Sequence, residues 1–426
     1  MHKIRLIWMF VLLGISAQLA AGQQLKVGAS VRTITPKPLL PVSGGVGNPS
    51  PATMQKGDLF VRAMVLIKGS LSIAIVSIDN LGWPAALGDR SRKLISRILP
   101  ENILIGATHT HSAPDAYGFP DDKGNVSADL SYIEFCVKQI AEAVNEAIEN
   151  AQPAALRIAV GEAKGKIAYN YYADALYDPR CGVIQAIGLQ GADQQKVIAT
   201  LVNYAVHPEV IGAGRGILSP DLCGPLYARI EEKVGGIAVF MNGAQGGMVT
   251  ADNRKDGGGE ENDYLECTRI GNLLADEALR IIDQAPLQSD PGLFIGARRV
   301  DFPIDSPLMQ YILSKSPLKY NLPKPGMISS QVNLLNIGTA QILSIPGEAL
   351  PNIGFYLKRK MKSPHAFLLG LTNDAFGYML TKVDFNSFKR YDYVSRTSLG
   401  ENTAEIYMAE VLKMIADAPM PDQLPK

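Results

Sequence analysis

Residues 103–114 read ILIGATHTHSAP. The apolar, β-branched start fits a short buried strand, and it delivers two histidines two positions apart. The chain holds only five histidines, so two at one strand end call for a reason. If the strand persists to residue 111, His109 and His111 project from one face and one metal ion can meet both. Neutral imidazole suits zinc, provided an outer acceptor holds the second ring nitrogen. The competing reading is a pair of histidines satisfied inside a core.

Working outward, the flanking segments alternate between strand and helix patterns. Residues 59–69 and 71–79 are β-branched runs hinged at Gly69-Ser70, a hairpin signal. Apolar spacing predicts a helix over 87–99, stopped by Pro100, and a long amphipathic helix over 130–151. The pattern then repeats: a strand over 197–208, a helix over 222–234, a strand over 236–247 and a helix over 265–285. A hairpin turning at Gly338, a strand over 365–374 and a helix over 403–418 follow, with a Pro/Lys/Ser-rich loop near 314–326. This alternation predicts an α/β fold with layered mixed sheets flanked by helices. Polar residues recur at the C-terminal ends of the strands, the edge where open α/β sheets bind ligands.

The N-terminus reads as an address. Lys3 and Arg5 precede the apolar run Leu6–Ile15, and Ala20-Ala21-Gly22 offers small residues for cleavage. The expectation is a signal peptide over 1–22, a single catalytic domain over 23–426, and a periplasmic or secreted location. The apolar run is short for a bilayer span and no second one follows, so no transmembrane segment is expected, while peripheral membrane contact stays open. Charge balances at 41 basic and 41 acidic residues, which gives nothing to attract nucleic acid. Four cysteines, Cys136, Cys181, Cys223 and Cys267, permit disulfides in an exported chain and equally fit buried thiols.

Other strand ends add to the histidine pair. His207 in NYAVHP (203–208) ends an apolar strand, with Pro208 fixing the chain beyond it. Glu348 in PGE (346–348) stands on a turn as a candidate carboxylate ligand, or as an acid favoured at a helix start. Two motifs are set aside. GAGRG (212–216) lacks the strand–glycine–helix unit of a dinucleotide loop, and Ser112 lacks a nucleophile elbow.

Together with these, SPD (219–221), NGAQGG (242–247) and GLTNDAFGY (370–378) occur in an order that resembles the neutral/alkaline non-lysosomal ceramidase family. VGASVRTITP (27–36) and GDLFVRAMVL (57–66) resemble that family's N-terminal signature, so the similarity spans roughly 27–380. The resemblance implies a hydrolase that cleaves the amide of a ceramide-like N-acyl substrate with Zn2+. It implies His109, His207, Glu348 and Tyr378 as metal ligands and His111 as the group facing the substrate. It also implies that a C-terminal immunoglobulin-like domain is absent. On chemical grounds Asn242 and the amides around Gly246 are expected to donate to an oxyanion.

Two departures bear on the substrate. The family's Ser-Pro after the glycine turn is Val249-Thr250 here, with Thr250 the remaining hydroxyl, and Tyr171-Tyr172 stand where the family places an arginine. The expectation is the same activation chemistry on a changed acyl substrate, small or lipid-like. An esterase acting on a non-ceramide compound, or a zinc-stabilised envelope binding protein, are the alternatives.

Overall fold

The computed structural model describes residues 23–424 except 122, 127, 192, 193 and 321; the expected signal peptide lies outside the described residues. The chain first builds an eight-stranded sheet from Lys26–Thr33 (β1), Phe60–Lys68 (β2), Leu71–Ile78 (β3), Ile103–Ala107 (β4), Gln152–Glu162 (β5), Arg180–Gly188 (β6), Val197–Tyr204 (β7) and Ile237–Asn242 (β8). Their order is β8-β7-β6-β5-β1-β2-β3-β4. The outer pairs β7–β8 and β3–β4 are parallel and the others antiparallel. The β1–β5 seam consists of Lys26 beside Pro153 and Val27 beside Gln152. At so short a seam the sheet bends, and the hydroxyl of Ser77 on β3 donates to the Phe240 carbonyl on β8 at 2.6 Å. The two outer strands, β4 and β8, are thereby brought together.

A second sheet follows from Leu293–Pro303 (β9), Met327–Ile337 (β10), Ala340–Ser344 (β11) and, after the short strand Glu348–Ala349 (β12), His365–Leu369 (β13), in the order β9-β10-β11-β13. The two sheets stack face to face. Met64, Ile75, Leu201 and Met241 from the first share one core with Leu335, Ile342 and Phe367 from the second.

Helices cover the outer faces. Ala85–Lys93 (α1) and Leu130–Glu149 (α2) pack on the β2–β4 side, Cys223–Val234 (α3) and Tyr264–Asp283 (α4) on the β6–β8 side. Pro307–Lys315 (α5), Pro351–Lys360 (α6) and Thr403–Asp417 (α7) belong to the second sheet's side. The two long helices start where local chemistry dictates: the Asp129 carboxylate accepts from the Ser131 and Tyr132 amides, and Asp263 from Glu266. At Gly28 helix α2 comes so close that a Cβ would lie 1.9 Å from the Ala147 carbonyl oxygen. The result is an α/β architecture of mixed sheets flanked by helices, with candidate site residues gathered where strands end. Among the described residues no helix is long and apolar enough to cross a membrane.

Three local expectations change. Strand β4 stops at Ala107, because the Thr108 and His109 amides turn to the Ile78 and Asn80 carbonyls. His109 itself takes a positive φ of 73°, so the histidines do not share a strand face. The helix expected over 87–99 ends at Lys93, and turns bury Ile95 and Ile98 while Leu94 and Leu99 stay exposed. The four cysteines are all free and buried, which favours the thiol reading over disulfides.

Candidate metal centre

Four loops meet where β4 and β8 converge. The β4 loop brings His109 and His111, and the β7 loop brings His207. The short strand β12 pairs in parallel with Tyr378–Met379 (β14), setting Glu348 directly beside Tyr378.

Each of two histidines is fixed by its own backbone acceptor. His109 Nδ1 lies 2.5 Å from the Leu81 carbonyl and His207 Nδ1 lies 2.7 Å from the Val249 carbonyl. A carbonyl can only accept, so both rings carry a proton on Nδ1 and turn Nε2 inward. Those Nε2 atoms lie 3.5 Å and 3.2 Å from Glu348 Oε2. Metal–ligand bonds of about 2.0–2.2 Å put neighbouring ligand atoms of a tetrahedron roughly 3.3–3.6 Å apart. The observed spacings therefore suit a shared ion. The donor atoms of His109, His111 and His207 all lie within 4.8 Å of one another, so the cluster could hold a metal ion.

Electrostatics agree. Burial raises the cost of a charged Glu348, yet the His109 and His207 rings outweigh it and hold the carboxyl well below its usual range. Tyr378 is buried, and its hydroxyl donates to Met248 Sδ at 3.1 Å and reaches the Glu348 carboxylate. Burial keeps that phenol well above its ordinary value. His111 differs from its neighbours: its Nε2 is buried without a hydrogen-bond partner, and burial pushes its pKa down to about 3.

Several residues take roles other than those expected. Asn242 is fully buried, and its Nδ2 donates to the Thr108 carbonyl at 3.0 Å and the Val206 carbonyl at 2.7 Å. Its Oδ1 accepts from the Val206 and Gly243 amides. With both amide hydrogens engaged it has none for an oxyanion. It instead ties together the residues that immediately precede His109 and His207. The Gly246 amide is likewise committed, to the Ala349 carbonyl at 3.0 Å. A Cβ at Gly246 would fall 2.2 Å from the Glu348 carbonyl oxygen, so glycine here is what lets β12 approach.

Neither Val249 nor the tyrosine pair lines the pocket beside the histidines, although Tyr172 packs on the cluster that holds Tyr378. The Val249 side chain sits in the α3/α4 core, and only its carbonyl serves the site. Tyr171 is exposed with its ring 5.7 Å from that of Tyr172, which in turn packs 5.5 Å from Tyr391. Both tyrosines stand outside the pocket above the histidines. That pocket is apolar, walled by Leu81, Phe119, Ile312, Leu313 and Phe376, with His109, His111, Glu348 and Tyr378 at its polar end.

Sequence reasoning missed Glu209. Its carboxylate lies 3.5 Å from His111 Nδ1 and takes a hydrogen bond from the Thr250 hydroxyl, which is therefore not free for a substrate. Desolvation opposes ionisation of Glu209, but the His111 and His207 rings hold it below its usual range. The available signal was an acid two residues after a candidate ligand.

No family model and no curated protein matches the chain's sequence. Solved structures do match. Neutral ceramidase from Pseudomonas aeruginosa superposes with a TM-score of 0.74 at 18% identity, over 95% of this chain and 75% of that one. A ceramidase complexed with C2 gives 0.70 at 18% identity, over 94% and 75%. The shared fold spans nearly all of this chain.

Proposed function

We propose that the chain is an exported zinc-dependent hydrolase that cleaves the amide of an N-acyl, ceramide-like substrate. One observation carries this reading. Two backbone-fixed imidazoles and Glu348 converge at the edge length of a tetrahedron, at the polar end of an apolar pocket, in a fold shared with two ceramidase structures.

In this reading His109, His207, Glu348 and Tyr378 hold the ion. A bound zinc supplies a water of pKa near 7 and polarises the scissile carbonyl. The chain's own residues do the rest. Leu81, Phe119 and Ile312 take the acyl chain and exclude bulk water. His111, neutral at pH 7 with an unpartnered Nε2, accepts a proton and returns it to the leaving amine. Because Val249 and Tyr171-Tyr172 stand outside the pocket, they give no argument against a ceramide-like substrate. Export rests on Lys3, Arg5 and the Leu6–Ile15 run, and predicts a processed N-terminus near Gln23.

The test is purified, metal-analysed protein assayed on long-chain ceramide, short N-acyl amides and matched esters. About one zinc per chain, as for a mononuclear site, and amide hydrolysis lost to chelator and restored by zinc are expected. Hydrolysis of esters alone would move the assignment to an esterase. Zinc without any turnover would leave a binding protein.

A further inference from the structure

We propose that Glu209 is a positioning residue that, with Thr250 behind it, fixes the ring of His111 as a carboxylate–histidine pair. This rests on the proposed function, in which His111 moves the proton.

The geometry begins with the backbone. The His111 amide donates to the Pro208 carbonyl at 3.1 Å, which lashes the β4 loop to the β7 loop one residue before Glu209. Glu209 Oε2 then lies 3.5 Å from His111 Nδ1, and the carboxylate receives the Thr250 hydroxyl. Thr250 is itself bridged to His207. A carboxylate can only accept, so the pair assigns the His111 proton to Nδ1 and leaves Nε2 bare. That Nε2 is the buried, unpartnered atom.

The division of labour among the three histidines follows. His109 and His207 use neutral carbonyls as outer acceptors, which suffice for a ring that only ligates. His111 is the ring whose Nδ1 faces a carboxylate instead of a carbonyl, a stronger acceptor for fixing ring orientation and tautomer. It also accounts for Val249-Thr250: the valine fills the core while the threonine hydroxyl holds Glu209.

The experiment compares wild type with Glu209→Ala, Glu209→Gln and Thr250→Val as zinc-loaded full-length protein. Long-range 15N–1H ring spectra of histidine-labelled chain report the His111 tautomer, and hydrolysis of N-octanoyl-p-nitroanilide reports turnover. Glu209→Ala is expected to shift His111 from the Nδ1–H form to a mixture. It should lower kcat on the order of 10²-fold, as loss of effective acid–base catalysis does, with KM and zinc content within about twofold on that reasoning. Thr250→Val should fall between it and wild type. If Glu209→Ala does not fold, Glu209→Gln, which keeps the shape and loses the charge, carries both readouts. An unchanged His111 tautomer, or a loss of zinc that accounts for the lost rate, would overturn the assignment. Absence of wild-type turnover on every acyl probe would sink the proposed hydrolase, while the tautomer spectra would still decide Glu209.

Discussion

Asn242→Ala tests whether one buried amide holds the two histidine loops together. The substitution leaves the Thr108 and Val206 carbonyls and the Val206 and Gly243 amides without the partner they have now. At about 1 kcal/mol for each orphaned group the cost is about 4 kcal/mol. With an unfolding entropy of about 2.1 cal/mol/K per residue, that lowers Tm by roughly 5 °C for a chain of this size. The distinctive effect is on the ion. Loss of a direct outer-shell partner weakens metal affinity by about 10–100-fold; Asn242 bonds the residues just before two ligands, so a loss in the lower part of that range is expected. Competition with a fluorescent zinc chelator measures affinity, and a thermal melt of the metal-free chain measures stability. Asn336→Ala is the control: it is also fully buried, and it donates to the Pro419 carbonyl away from the site. Asn336→Ala should lower Tm without touching zinc affinity. If Asn242→Ala behaves the same way, the amide is a core residue and the clamp does not exist.

Four further outcomes follow. His207→Ala should reduce zinc in purified protein to a small fraction of wild type by elemental analysis, because it removes an Nε2 that lies 3.2 Å from Glu348. Gly246→Ala should destabilise the fold and weaken zinc binding together, since its Cβ would displace the Glu348 backbone; a variant with wild-type zinc affinity would contradict this. Lys358→Met should cost about 1.5 kcal/mol in a urea titration at pH 7, because it strips one charged hydrogen-bond partner from Asp178 while Arg180 remains. Against burial, Lys358 and Arg180 hold Asp178 below its ordinary value. That contribution is therefore complete above the unfolded pKa of about 3.9 and is lost as pH falls through the folded one, so the variant's stability should fall less steeply below pH 4. Reducing agent should leave Tm unchanged, because all four cysteines are free thiols.

How much of the fold could be read depended on how strongly each segment marked its own structure. The hairpin at Gly69, the parallel-paired strands β4, β7 and β8, and the long capped helices declared themselves through β-branched runs and 3.6-residue spacing. Strands β5, β6 and β9 did not. β5 carries Pro153 and four residues of alanine or glycine, a weak strand signal. β9 is an edge strand with Arg298 and Arg299 in its middle. The stacking of the second sheet on the first was also out of reach. It depends on Ile342 and Phe367 meeting Leu201 and Met241, a contact between distant segments that no local period encodes.

The candidate centre divides along the same line. His109, His207 and Glu348 each terminate an apolar run, so their place at strand ends could be read before any contact was known. Tyr378 could be placed only by resemblance, because a tyrosine beside a phenylalanine looks like core. What fixes these side chains is almost entirely non-local: Leu81 for one ring, Val249 for the other, and Asn242 between their loops. In sequence Asn242 reads as a group facing a substrate because short polar residues beside glycines are the usual donors to an oxyanion, and Thr250 because it is the hydroxyl left where Val249 replaces a serine. A free amide and a fully engaged one are indistinguishable in sequence. Only the count of partners separates a residue that acts on a substrate from one that holds the residues that do. That count moves Asn242 and Gly246 behind the site, and it brings Glu209 forward.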